Sequence, residues 1–168
     1  MNRLLAIVPR FGVVVALVIA SSCGDGATSS PDAAHVSFTA ADGSATSLAR
    51  MKGRPTVVNM WATWCSPCVK EMPAFDRVAR SVSRVQVIGV NVSDTAAAAA
   101  TFASKLGIHY PQYTDPDGTL SVAFSVSGLP ATAFVDTDGT VLQVHQGALT
   151  ESELRDAIAT NFHLTATP

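Results

Sequence analysis

The chain has 168 residues, with 11 Lys and Arg against 13 Asp and Glu, a formal net charge of −2 and 48% hydrophobic residues. That length suits one folded domain with a real core. The near-neutral charge, with no basic stripe and no interleaving of aromatic and basic residues, argues against nucleic acid as a partner.

Residues 1–22 read as an export signal. Arg3 and Arg10 make the start basic, and Phe11 to Ala20 is almost wholly apolar but too short for a comfortable membrane span. Ala20-Ser21-Ser22-Cys23 follows, small residues leading into a cysteine. The pattern resembles a bacterial lipobox, which makes Cys23 the expected lipidation site and the mature N-terminus. A Leu is more usual where Ala20 stands, so ordinary cleavage nearby and an uncleaved anchor with an idle Cys23 are the alternatives. Each version places the folded part outside the cytoplasm, on the membrane surface. Residues 23–34 are rich in Gly, Ser, Thr, Asp, Ala and Pro and read as a flexible tether.

The body, 35–163, alternates strand and helix signals. Val36 to Thr39 and Ala45 to Ser47, around Asp42-Gly43, suggest a small hairpin. Thr56 to Trp61 is a buried-strand run. A helix follows from Pro67 to about Arg80, with Val69, Met72, Phe75, Val78 and Ala79 on one face and Pro73 expected to kink it. Val85 to Val92 is a second buried strand. Asp94 is placed to cap a helix through the alanine run, which Gly107 stops. Asp115 to Gly118 reads as a turn, with a short helix around Leu120 to Phe124. Thr132 to Val135 and Val141 to Gln146 are strands joined by the turn Asp136 to Gly139. Thr150, with Glu151 and Glu153 in the first turn, opens a last helix to about Phe162. Residues 164–168 read as a frayed tail. This succession gives a three-layer α/β domain.

Trp64-Cys65-Ser66-Pro67-Cys68 carries the chemistry. The chain has three cysteines, and two of them stand two residues apart directly after a strand. With Pro67 in the first helical turn, Cys65 falls at the N-cap, where unpaired backbone N–H groups favour a thiolate. The thiolate is the reactive form of cysteine. Cys68, one turn further in, is near enough to attack a mixed disulfide at Cys65. Zinc sites also use CxxC, but they need further ligands and no other cysteine is available for them.

On these residues the chain resembles the thioredoxin superfamily, and within it the TlpA/ResA-like membrane-anchored thiol–disulfide oxidoreductases. The pieces that carry the resemblance are Val57 to Cys68, Glu71, Pro73 and Gly128-Leu129-Pro130-Ala131-Thr132, in the family's order. It spans about His35 to Phe162. It implies a thioredoxin-like fold, a central mixed β-sheet flanked by helices, with an N-terminal β-hairpin and a central insertion matching Asp94 to Gly107. It implies thiol–disulfide exchange with a Cys65–Cys68 disulfide as the only redox group and no cofactor or metal. Cys65 would attack, Cys68 would resolve, and Glu71 would move the Cys68 proton if partly buried. The alternative for Glu71 is an exposed charge paired with Lys70 or Arg77. Pro130 would be a cis-proline that frees Leu129 to pair with an extended substrate segment. Trp64, Ser66 and Pro67 complete the expected substrate-binding set, with Trp61 and Trp64 shielding the pair. Asn59 replaces the buried acid of plain thioredoxin and cannot take a proton.

The implied partners are exported protein thiols or disulfides, such as apocytochrome c, a membrane electron donor or acceptor of the CcdA/DsbD type, and the membrane through a lipid anchor. The expected direction is reduction, with oxidation of secreted proteins as the runner-up. A copper(I) chaperone using His145 as third ligand is a further alternative, since thiolates suit copper(I), although copper chaperones of this fold carry CxxxC. A peroxiredoxin lacks support because Pro-x-x-x-Thr-x-x-Cys is absent. Asn91-Val92-Ser93 matches a glycosylation pattern but reads as a strand end, and His35, His109 and His163 form no constellation.

Overall fold

The structure is a computed structural model and describes residues 33–164. The expected signal segment, Cys23 and most of the expected tether lie outside the described residues. The packed part is slightly wider than 35–163: Ala33 is buried in a 3₁₀ turn (Ala33–His35), and Leu164 packs on the core. None of the described helices is long and apolar enough to cross a membrane.

Seven strands form one mixed sheet. They are β1 (Phe38–Ala40), β2 (Ala45–Thr46), β3 (Thr56–Trp61), β4 (Gln86–Val92), β5 (Gln112–Asp115), β6 (Ala131–Val135) and β7 (Val141–Gln146), in spatial order β2-β1-β5-β4-β3-β6-β7. The helices are α1 (Ser66–Ser81), α2 (Ala96–Lys105), α3 (Thr119–Ala123) and α4 (Glu151–Asn161). β3, β4 and β5 run parallel, while β6 is antiparallel to β3, and β1 to β5.

β3 lies inside the sheet, between β4 and β6, and every one of its six residues is buried. A strand covered on both faces has no reason to alternate apolar and polar side chains, hence the run Thr-Val-Val-Asn-Met-Trp. Val58 and Met60 point to one face, with Phe38, Leu48, Leu120 and Phe124. Val57 points to the other, against Phe75 and Val78 of α1 and Leu154 and Ile158 of α4. Asn59 and Trp61 share the α1 face with Val57 by the two-residue period of a strand. A third cluster gathers Trp61, Cys65, Cys68 and Met72 with Ala99 and Ala103 of α2 at the end of β3.

Several boundaries differ from expectation. β1 begins at Phe38 rather than Val36, and α1 begins at Ser66, one residue before Pro67. Pro73 lies within α1 without ending it; its missing N–H leaves the Val69 carbonyl without its helical partner. Thr95, not Asp94, caps α2: its side chain accepts from Ala98 N. Gly107 does close that helix, with a positive φ of 68°. β5 adds a strand that the sequence does not announce, because Gln112-Tyr113-Thr114-Asp115 carries little apolar signal. α4 opens on a full capping box, Thr150 with Glu153.

Candidate functional site

β3 delivers the chain to the redox pair. After Trp61 the backbone turns, Cys65 N donating to Ala62 O at 3.1 Å, and α1 starts. Cys65 is the N-cap, and its sulfur accepts from Cys68 N at 3.3 Å. Pro67, at the second helical position, has no N–H to offer. Cys65 and Cys68 are joined by a disulfide with their Cα atoms 5.3 Å apart. Both residues are largely covered, Cys65 at 4% exposure and Cys68 at 0%. In the reduced state a sulfur at this position faces the positive end of α1, which stabilises a thiolate.

The loop carrying Cys65 is tied down from β4. The Asp94 carboxylate accepts from Thr63 N (2.8 Å), Thr63 Oγ1 (2.9 Å) and Asn91 Nδ2 (2.9 Å). Burial pushes the Asp94 carboxyl upward, but these donors outweigh it and hold it below the usual Asp value. Asn91 is fully buried at the end of β4, which fits a strand end and not a glycan acceptor. Trp61 is also fully buried. Its Nε1 donates to Gln112 Oε1 at 3.0 Å, and its ring lies 6.1 Å from that of Phe102.

Trp64, unlike Trp61, is 67% exposed. Ser66 and Pro67 are exposed as well, so these three form a rim around Cys65. The Leu129–Pro130 bond is cis. Leu129 packs on the cluster that holds both cysteines. The Pro130 carbonyl accepts from Gly147 N at 2.9 Å, whereas Leu129 makes no backbone hydrogen bond among the described residues.

Glu71 lies one helical turn beyond Cys68, on the same side of α1. It is buried, at 5% exposure, so the exposed-charge alternative is overturned. Arg77 pairs instead with Glu151, at 2.7 Å. Glu71 Oε1 accepts from Asn59 Nδ2 (2.8 Å) and Oε2 from Leu149 N (2.9 Å). Behind Asn59, the Tyr110 hydroxyl donates to Asn59 Oδ1 at 3.0 Å. Burial raises the Glu71 carboxyl to about 7, a rise that the two hydrogen bonds only partly offset. A cavity of about 280 Å³, lined in part by Pro67, Lys70, Ala74 and Leu149, opens onto Glu71. The raised carboxyl thus stands one helical turn from Cys68, at the wall of this cavity.

Among the described residues, no three His, Cys, Asp or Glu side chains gather in a way that could hold a metal ion. His145 is half-buried on β7, opposite Thr132 of β6.

The family model described as Redoxin matches residues 26–158. The thiol-disulfide oxidoreductase ResA of Bacillus subtilis (strain 168) is 33% identical over 111 residues, covering 65% of this chain and 62% of ResA. The chain thus spans about three fifths of that curated relative's length. The structure of dsbF from Mycobacterium tuberculosis, in mixed oxidized and reduced forms, superposes with a TM-score of 0.71 at 32% identity, covering 78% of this chain and 98% of that one. A secreted Mycobacterium tuberculosis disulfide oxidoreductase, described as homologous to E. coli DsbE, gives a TM-score of 0.66 at 26% identity over 78% of this chain and 99% of that one.

Proposed function

The chain belongs to the Redoxin family, with a thioredoxin-like fold, and on that premise we propose that it is a thiol–disulfide oxidoreductase that works outside the cytoplasm by reducing disulfides of exported proteins. The observation that carries this reading is the Cys65–Cys68 disulfide at the start of α1, flanked by buried Glu71 and by Leu129–Pro130. The Cys65 thiolate attacks a substrate disulfide, forming the mixed disulfide and releasing one substrate thiolate. The substrate backbone pairs with Leu129 as an added strand. Cys68 passes its proton to Glu71 and attacks the Cys65 sulfur. The second substrate thiolate leaves, and the protein keeps the Cys65–Cys68 disulfide, two electrons having moved to the substrate. Trp64, Ser66 and Pro67 frame the substrate around the sulfur.

Regeneration requires two electrons from a membrane donor of the CcdA/DsbD type. Apocytochrome c fits the substrate class, a reading supported by the likeness to ResA. Residues 1–22 act as the signal segment, and Cys23 carries the lipid that holds the domain at the membrane; the secreted relative supports the compartment.

Trapping tests the mechanism. Cys68→Ser in the full-length protein removes the resolving thiol and should accumulate mixed disulfides at Cys65, seen on non-reducing gels and mapped by mass spectrometry. The Cys65→Ser, Cys68→Ser double variant controls for Cys23. Trapping no more than this control contradicts Cys65 as the attacking group.

A further inference from the structure

Both ends of the Asn59 carboxamide are engaged, and in opposite senses. Nδ2 donates to Glu71 at 2.8 Å, while Oδ1 accepts from the Tyr110 hydroxyl at 3.0 Å. Asn59 and Tyr110 are buried away from the cavity that Glu71 lines, so neither can turn to water for a substitute partner. Glu71 meets only donors, Asn59 Nδ2 and Leu149 N, an arrangement that suits the ionised carboxylate. A proton arriving on Glu71 turns one of its oxygens into a donor, which then needs an acceptor. Rotation of the Asn59 amide supplies one: Oδ1 swings to Glu71 and Nδ2 to Tyr110. A hydroxyl both donates and accepts, so Tyr110 complements either setting. Neither a carboxylate nor an apolar side chain at position 59 could serve both.

We propose that Asn59, backed by Tyr110, is the positioning residue for Glu71: it holds the carboxyl beside the redox pair and exchanges its donor end for its acceptor end as Glu71 takes up and releases the Cys68 proton. This rests on the reading of Glu71 as the proton carrier. One proton moves, from the Cys68 thiol to the Glu71 carboxylate, and the Cys68 thiolate keeps the electron pair with which it attacks.

Beside burial and the Leu149 N–H, Asn59 is the side chain that acts directly on the Glu71 carboxyl. On α1, Cys68 is the proton source, Lys70 is exposed at the cavity, and Asp76 is engaged by Arg80 (3.0 Å) and His109 N (2.7 Å). From α4, Glu151 is held by Arg77 and Arg155, and Glu153 by Thr150. Tyr110, before β5, is pushed far above the ordinary phenol range by burial and stays neutral. β6 offers no ionisable group: Thr132, in register with Asn59, presents a buried hydroxyl without a partner among the described residues.

The experiment follows the Glu71 carboxyl carbon by NMR across pH in full-length, oxidised protein labelled with ¹³C-glutamate, the signal being assigned by its loss in Glu71→Gln. The wild type should titrate at about 7. Asn59→Asp sets a second carboxylate against the first and should move the midpoint up by about one pH unit or more; an unmoved midpoint overturns the proposal. The swapped double variant Asn59→Asp, Glu71→Gln puts the carboxylate on the strand and the amide on the helix, preserving the complementary pair. The near-neutral inflection in the rate at which the mixed disulfide is resolved should vanish in Glu71→Gln and return in the swap. A swap as flat as Glu71→Gln overturns the proposal, and this arm decides alone if Asn59→Asp does not fold. If Glu71→Gln itself keeps the wild-type inflection, the proton role of Glu71 fails, while the NMR titration still reports whether Asn59 governs that carboxyl.

Discussion

Asp94 grips Thr63 at both its backbone N–H (2.8 Å) and its hydroxyl (2.9 Å), two residues ahead of Cys65. The contact fastens the loop that carries the Cys65 sulfur to the segment just after β4. Hydrogen bonds to a charged acceptor are the stronger kind. Asp94→Ala should therefore cost about 2 kcal/mol and slow exchange at Cys65. The Asp94 carboxyl is held below its usual value, so its contribution is present above the unfolded pKa and fades as pH falls through the folded one. Urea unfolding at pH 7 and pH 3 checks this: the gap between wild type and variant should shrink at the lower pH.

Glu71 acts on stability in the opposite sense. Its folded value, about 7, lies above the ordinary 4.5, so the folded state keeps the proton longer than the unfolded chain. The resulting stabilisation is complete below the unfolded value and is lost as pH rises through the folded one. The wild type should lose about 3 kcal/mol between pH 4.5 and 7 on this account. Glu71→Gln should lack that slope, so unfolding curves for the two proteins should diverge across this window. Parallel pH dependence would mean that the carboxyl is not shifted.

The redox segment was legible in the sequence because its signals are local. An unbroken apolar strand, a helix start marked by Pro67 and two cysteines at fixed spacing need no distant partner. The capping box at Thr150 and the turn Asp136 to Gly139 were readable for the same reason. What surrounds Glu71 was not. Its position one turn from Cys68 follows from helical spacing, but its burial depends on Leu149, 78 positions away, and on Tyr110 reaching Asn59 across 51. Asp94 misled because an acid before an alanine run is a plausible cap; the structure assigns that task to Thr95 and turns Asp94 toward Thr63. β5 is polar and short, and it becomes a strand because β4 and β1 pair with it on either side. Trp64 illustrates the limit of residue type as a guide: Trp61, three residues earlier, is fully buried, whereas Trp64 stands in solvent.

Gly89 is where β4 makes room for the support beneath Trp61. A Cβ there would collide with the Gln112 carboxamide, which is held by Trp61 Nε1 on one side and donates to the Tyr110 carbonyl on the other, each at 3.0 Å. Gly89→Ala should cost about 1–3 kcal/mol through overpacking and shift Trp fluorescence as the Trp61 hydrogen bond breaks. Thermal unfolding followed by fluorescence reads both effects. A variant with wild-type stability and spectrum would show that Gln112 yields freely.

On the proposed function, the Cys65–Cys68 couple gives electrons to exported proteins. Its reduction potential tests this most directly, measured on the full-length protein by equilibration in dithiothreitol or glutathione buffers, with thiol trapping of the two forms. A disulfide reductase should show a value near or below about −270 mV, that of thioredoxin. A value near about −120 mV, that of DsbA, would contradict it and make the protein an oxidant of its substrates.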